Sequence, residues 1–433
     1  MSTNIEALLQ FLAASPSPYH ATQYLSDLFQ KAGFTLLNEA DDWALTAGGR
    51  YVYIRADASI SAFCLSEDIL ERGIRVVGAH TDSPCLKVKP SPELNTLGYS
   101  RLGVEVYGGA LLNPWFDRDL SIAGKVSGIS PSGTLVSTLI DFNKAIAVIP
   151  SLAIHLNRDA NKNKSVNPQK EMNAILSGLK DDMSFRDLLL QHVNEQTDSP
   201  VFREILDFNL SFYDVQKPAV VGLYDEFIAS ARLDNLLSCY LSAESLIQSQ
   251  TNQTAIVIFH DHEEVGSRSE SGAQGTMLQD LLTRLVPRDE DRQRMLRHSM
   301  MLSVDNAHGI HPNYPERHDE KHGPLINAGP VIKFDADQSY ATSSDTAALV
   351  KWLAMAAEPP LPLQSFVTRA DCRCGSTIGP ITASNIGIKT IDIGNAQFAM
   401  HSCRELAGVA DAHTMQALLQ RFYHAEDVNV TAI

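Results

Sequence analysis

Apolar residues recur at three- and four-residue intervals in IEALLQFLAAS (5–15) and ATQYLSDLFQKAGF (21–34), which predicts two amphipathic helices separated by a Ser-Pro-Ser-Pro turn. A different pattern follows. IRVVGAH (74–80), AIVIFH (255–260), MMLSVD (300–305) and IKTIDIG (388–394) are short β-rich runs, and helical stretches such as LLSCYLSAESLIQSQ and SDTAALVKWLAMAAE stand between them. Strands alternating with helices predict an α/β fold, with a sheet covered by helices on both faces. Residues 92–225 break that alternation with strand-like pieces, RLGVEVYGGALLN, SIAGKVSGI and TLVSTLIDF, and then a polar stretch, NRDANKNKSVNPQKEM. The pattern predicts a host domain formed by 1–91 and 226–433 and a β-rich domain, 92–225, inserted into it.

Open α/β sheets place their sites at the carboxyl ends of strands, and here those ends carry chemistry. The first run ends in His80-Thr-Asp82, a spacing that suits a metal-binding imidazole with a carboxylate on its other ring nitrogen. The second ends in the adjacent pair Glu263-Glu264 and the third in Asp305. The fourth leads through GNAQFAM to His401. Asp234, in SARLDNLL at the start of a helix, reads either as a further ligand or as a helix N-cap. Two histidines and three carboxylates form an oxygen-rich set suited to a pair of divalent cations. One glutamate is then left over, free to act as general base.

Rival chemistries lack their motifs. His262-Glu263 begins an HExxH pattern, but the second histidine would fall at Gly266. The glycine-rich pieces match no phosphate-binding loop, and no GxSxG elbow is present.

The 433 residues hold 35 Lys plus Arg against 51 Asp plus Glu, a net charge of −16, which argues against a nucleic-acid or anionic-membrane partner. The amino terminus has no basic leader, and no apolar stretch reaches the length of a membrane span. Six cysteines without CxxC spacing fit reduced thiols in a cytoplasmic protein, and Cys372-Arg-Cys374 reads as incidental.

The stretches GAHTDSPCLKVKP, LLNPWFDRDLSIAGKV, IPSLAIHLNRDAN, EFIASARLDNLLSCY, HDHEEVGSRSESGAQG, SVDNAHGIHPNYPERHDEKHGPLINAGPVIK, CRCGSTIGPITAS and AMHSCREL, in this order from about residue 15 to the end, resemble the aspartyl aminopeptidase family. The resemblance implies a zinc peptidase fold with a mixed sheet flanked by helices, an inserted dimerisation domain and a tetrahedral dodecamer. It implies two zinc ions held by His80, Asp234, Glu264, Asp305 and His401, with Asp234 as the bridge. Asp82 would orient His80, and Glu263 would be the general base. It further implies that His155 reaches a neighbouring subunit's site, and that Lys333, Tyr340 and His308 line the substrate pocket. The expected activity is removal of an amino-terminal Asp or Glu from peptides. Alternatives are a neutral-residue aminopeptidase, a related two-metal deacylase, or a noncatalytic assembly protein; the last should have lost the base or a ligand, and this chain keeps them all.

Overall fold

The computed structural model describes residues 3–178, 184–197 and 199–430. A nine-stranded mixed sheet forms the centre, in the order Thr35–Leu37, Arg50–Arg55, Ser59–Cys64, Thr254–His260, Ile74–His80, Met300–Val304, Lys389–Gly394, Val331–Phe334, Gln364–Val367. Four consecutive strands in that order, from Thr254–His260 to Lys389–Gly394, run parallel, and they are the four runs read from the pattern. Every residue of Ile74–His80 and Thr254–His260 is buried, as expected for parallel strands covered on both sides.

Successive strand residues face opposite ways. Val77, Val257 and Leu302 join a core with the helices Ile5–Ala14, Pro18–Lys31, Leu233–Gln248, Ser344–Met355 and Val409–Tyr423. Their neighbours Val76, Ile256 and Met301 join another, with the helices Met277–Leu285, Asp289–Arg297 and Ile378–Ile386. The second helix begins at Pro18, earlier than expected, because proline's fixed φ and missing N–H suit the first helical position.

A six-stranded antiparallel sheet lies between residues 85 and 214, in the order Leu135–Asp141, Leu120–Ile129, Glu204–Asp214, Cys85–Thr96, Tyr99–Tyr107, Ala174–Gly178. The helix Phe185–Glu195 covers it through Phe185, Leu189 and Val193. This sheet starts before residue 92. A third sheet was not anticipated; it joins Ala219–Val221, Phe227–Ser230, Glu405–Gly408, Ala396–Phe398 and Ala307–His308. Strands of two to four residues are too short to show a period of their own. This sheet carries the chain from the ends of the parallel strands toward His401.

Candidate metal centre

The strand Ile74–His80 ends at His80, so Asp82 lies beyond it. Asp82 nevertheless returns to the ring: its backbone carbonyl is 3.1 Å from His80 Nδ1 and its Oδ1 3.4 Å. An Nδ1–H donated there leaves Nε2 with a lone pair pointing into the site. The Asp82 carboxylate also accepts the backbone N–H groups of Glu263 and Glu264, each at 3.1 Å, and the Tyr107 hydroxyl at 2.6 Å. The turn that carries the two glutamates is therefore fixed to the end of the neighbouring strand. His262, Gly266 and Ser267 take positive φ there, which bends the chain away from strand geometry and lets adjacent glutamates serve one site.

Asp234 is not a helix cap. Its side chain caps no helix N–H, and the backbone at Asp234 and Asn235 is not helical. Asn235 Nδ2 donates to the Val304 carbonyl and Asn306 Nδ2 to the Leu233 carbonyl, both at 2.8 Å, so the loop is tied beside Asp305. One carboxylate oxygen, Oδ1, is 3.5 Å from His80 Nε2; the other, Oδ2, is 3.4 Å from His401 Nε2. Asp305 Oδ1 completes the first side at 3.6 Å from His80 Nε2, and Glu264 Oε1 completes the second at 3.3 Å from His401 Nε2. His401 takes φ +67, a conformation that side chains other than glycine adopt reluctantly. It is held by its N–H to Glu405 Oε1 at 2.7 Å, by Nδ1 to the Gly109 carbonyl at 3.1 Å, and by its own carbonyl, which accepts from Leu111 N–H at 3.0 Å. The other Glu405 oxygen accepts the Asp234 N–H at 3.0 Å.

This arrangement fits cations. Asp234 Oδ1 and Glu264 Oε1 are buried and take no hydrogen bond, and an orphaned buried carboxylate oxygen is costly unless positive charge meets it. The separations of 3.3–3.6 Å between facing ligand atoms match the roughly 3.4 Å expected between tetrahedral ligands about 2.1 Å from zinc. Ligand atoms from His80, Asp234 and Asp305 lie within 4.8 Å of one another, as do those from Asp234, Glu264 and His401, and from His80, Glu263 and Glu264. Crowded carboxylates raise one another. Burial, then the charges of Asp305, Asp82 and Asp234, outweighs the pull of His80 and pushes Glu263 up to about 8. Glu264 is held well above the usual carboxylate range, first by burial and then by Asp234. Burial lowers His80, but Asp234, Asp305 and Asp82 prevail and hold it well above its ordinary value.

The remaining site residues divide. Lys333, on the strand Val331–Phe334, is buried with Nζ 3.5 Å from Asp305 Oδ2 and 5.3 Å from the centre of the Tyr340 ring. Tyr340 is buried against Phe366, and the exposed His308 meets the same ring edge-on at 5.9 Å. His155 is exposed on a turn and joins none of the metal-competent groups found among the described residues. The exposed Cys372 and half-buried Cys374 are free thiols that also join none. Sequence reasoning passed over Tyr107, Gly109 and Glu405. Glu405 stands four residues after His401 in the same short motif, whereas Tyr107 ends a strand of the second sheet, Gly109 lies just beyond it, and neither gave a local signal.

A profile of the family described as Aminopeptidase I zinc metalloprotease (M18) matches residues 11–423. A probable M18 family aminopeptidase 2 from Pseudomonas savastanoi pv. phaseolicola is 53% identical over 426 residues, which cover 97% of this chain and 98% of that one. The counterpart from Pseudomonas syringae pv. tomato is 52% identical, over 98% of each. Among solved structures, Ape4 in its complex with Nbr1 superposes with a TM-score of 0.91 at 35% identity, over 96% of this chain and 85% of that one. The S. cerevisiae mApe1 dodecamer does so with 0.84 at 29%, over 97% and 96%. With its imidazoles and carboxylates gathered at the strand ends and the match running through nearly its whole length, the chain belongs to the M18 family of zinc aminopeptidases.

Proposed function

We propose that the chain removes amino-terminal Asp or Glu from peptides at a centre that would hold two zinc ions, with Asp234 as a ligand shared between them. The observation that carries the reading is the single Asp234 carboxylate, whose two oxygens face two different imidazoles. His80 and Asp305 would hold one ion and Glu264 and His401 the other. When bound, zinc supplies Lewis acidity toward the scissile carbonyl and lowers the pKa of water. Glu263 takes the proton of the attacking water and returns it to the departing amine. Asp82 holds Glu263 in place through the backbone N–H.

Acidic preference rests on Lys333. A chain of net charge −16 repels an acidic peptide at a distance, but screening beyond ~10 Å leaves the local charge to decide. The Lys333 ammonium has three donors, and Asp305 lies near only one edge of it, so a substrate carboxylate can take another. The neutral-residue alternative leaves Lys333 only as a counter-charge to Asp305.

Assembly fits the same reading. Leu97, Leu135 and Leu156 are more than 70% exposed in the region 85–214, and a related protein is a dodecamer. In such an assembly the inserted domain, 92–225, is the dimerisation domain and His155 serves a neighbour's site. Six free thiols suit a cytoplasmic setting. The experiment is a panel of chromogenic Asp, Glu, Ala and Leu substrates, assayed before chelation, after it and after zinc is restored. Asp and Glu should be cleaved fastest, and chelation should abolish turnover reversibly. Full activity in protein shown to be metal-free would overturn the mechanism, and faster cleavage of Ala or Leu would overturn the specificity.

A further inference from the structure

The two sides of the centre differ in what stands behind them. His80 and Asp305 belong to the ends of parallel strands in the nine-stranded sheet. Glu264 and His401 are instead backed by the segment Tyr107–Leu111, which leaves the last residue of a strand in the six-stranded sheet and crosses behind them. Four contacts fix it there. The Gly109 carbonyl accepts from His401 Nδ1 at 3.1 Å, and Leu111 N–H donates to the His401 carbonyl at 3.0 Å. Gly108, at φ +68, runs so close that a Cβ on it would lie 3.2 Å from Glu264 Cβ. Tyr107 donates to the Asp82 oxygen that also receives the Glu264 N–H.

From these contacts we infer that the six-stranded sheet is a structural part of the second cation site, with Gly109 as the positioning residue that fixes the tautomer and aim of His401. A carbonyl on Nδ1 commits that nitrogen to carry the proton and leaves Nε2 as the ligand atom. On the strand-end side the Nδ1 partner of His80 is Asp82, two residues on in its own chain segment, and the six-stranded sheet reaches that histidine only at second hand, through Tyr107 on Asp82. Occupancy of the second site therefore reports how well the inserted sheet is seated on the catalytic sheet, and the two ions should be lost in a fixed order when that seating is loosened. The inference rests on the two-cation reading proposed above.

The test is zinc stoichiometry and affinity, measured on the intact protein by elemental analysis and by competition with a chelator of known affinity. Gly109→Ala places a Cβ 3.3 Å from His401 Nδ1, so the ring must give by a few tenths of an ångström. Gly108→Ala places a Cβ 3.2 Å from Glu264 Cβ and presses on the same side through its other ligand, without touching the Asp82 contacts; melting temperature and oligomer size are followed for both variants. Wild type should bind two ions per subunit. Each variant should keep one at wild-type affinity and bind the other about 10- to 100-fold more weakly, the usual cost of removing an outer partner of a metal ligand. Two ions in wild type with unchanged affinities in both variants, or with both ions weakened alike, would overturn the inference alone. A wild type that binds a single ion would overturn the two-cation reading and this inference with it.

Discussion

His80 and His401 face the same carboxylate from opposite sides, and they reach it by different means. His80 is the last residue of a fully buried strand, its side chain 2% exposed and its second ring nitrogen held by a near neighbour in sequence. His401 sits in a turn at positive φ, 28% exposed, held by groups from residues 109, 111 and 405. One side is rigid because the sheet is rigid; the other is rigid only while several distant pieces of chain meet. Strand ends are dependable places for a ligand, and loops need an outer layer to match them.

The sharpest way to break this comparison is at the two adjacent glutamates, to which the proposed mechanism gives different roles. Glu263→Gln keeps the shape and should retain zinc while losing about 10²–10⁴-fold in kcat, the range for a missing general base. Glu264→Ala should lose the ion on the His401 side as well. Elemental analysis beside kinetics decides it, and equal metal loss in the two variants would mean that their roles are misassigned.

Lys333 leans on the strand-end side through Asp305, so its removal tests whether that side also reads the substrate. Lys333→Met should lower kcat/KM for Asp and Glu substrates by about 30- to 1,000-fold, ~2–4 kcal/mol of partly buried charge pairing, and spare Ala and Leu. A uniform loss across all four would make Lys333 a counter-charge to Asp305 and nothing more.

The smallest expected signal comes from His155, exposed and outside its own chain's centre. Inactive His155→Ala subunits mixed with inactive Glu263→Gln subunits should recover a fraction of wild-type activity after verified exchange. No recovery would confine each site to one chain.

What could be read from the sequence follows the same division. The parallel strands were legible because burial on both faces leaves continuous apolar runs, and a run that stops at His80 or Asp305 announces a strand end. Helices of one face were legible from their spacing, whereas Met277–Leu285, Asp289–Arg297 and Ile378–Ile386 on the other face were expected only from the alternation of the strands. Asp234 was not, because an aspartate at the start of a helix looks the same in sequence whether it caps or does something else; only the structure shows that it caps nothing and faces two imidazoles. The third sheet escaped because its strands are short and scattered from residue 219 to 408. Tyr107, Gly109 and Glu405 escaped for a related reason: what they do is set by contacts to residues 25, 292 and 171 positions away, and neither residue type nor spacing encodes those.

The central claim is that one carboxylate joins two cation sites. Crystals of the zinc-loaded protein, with diffraction collected on either side of the zinc absorption edge, test it directly through the anomalous difference map. The account predicts two peaks about 3.5–4 Å apart, one on each side of Asp234, with His80 and Asp305 on the first and Glu264 and His401 on the second. A single peak at full zinc loading, or two peaks that do not share Asp234, would contradict it.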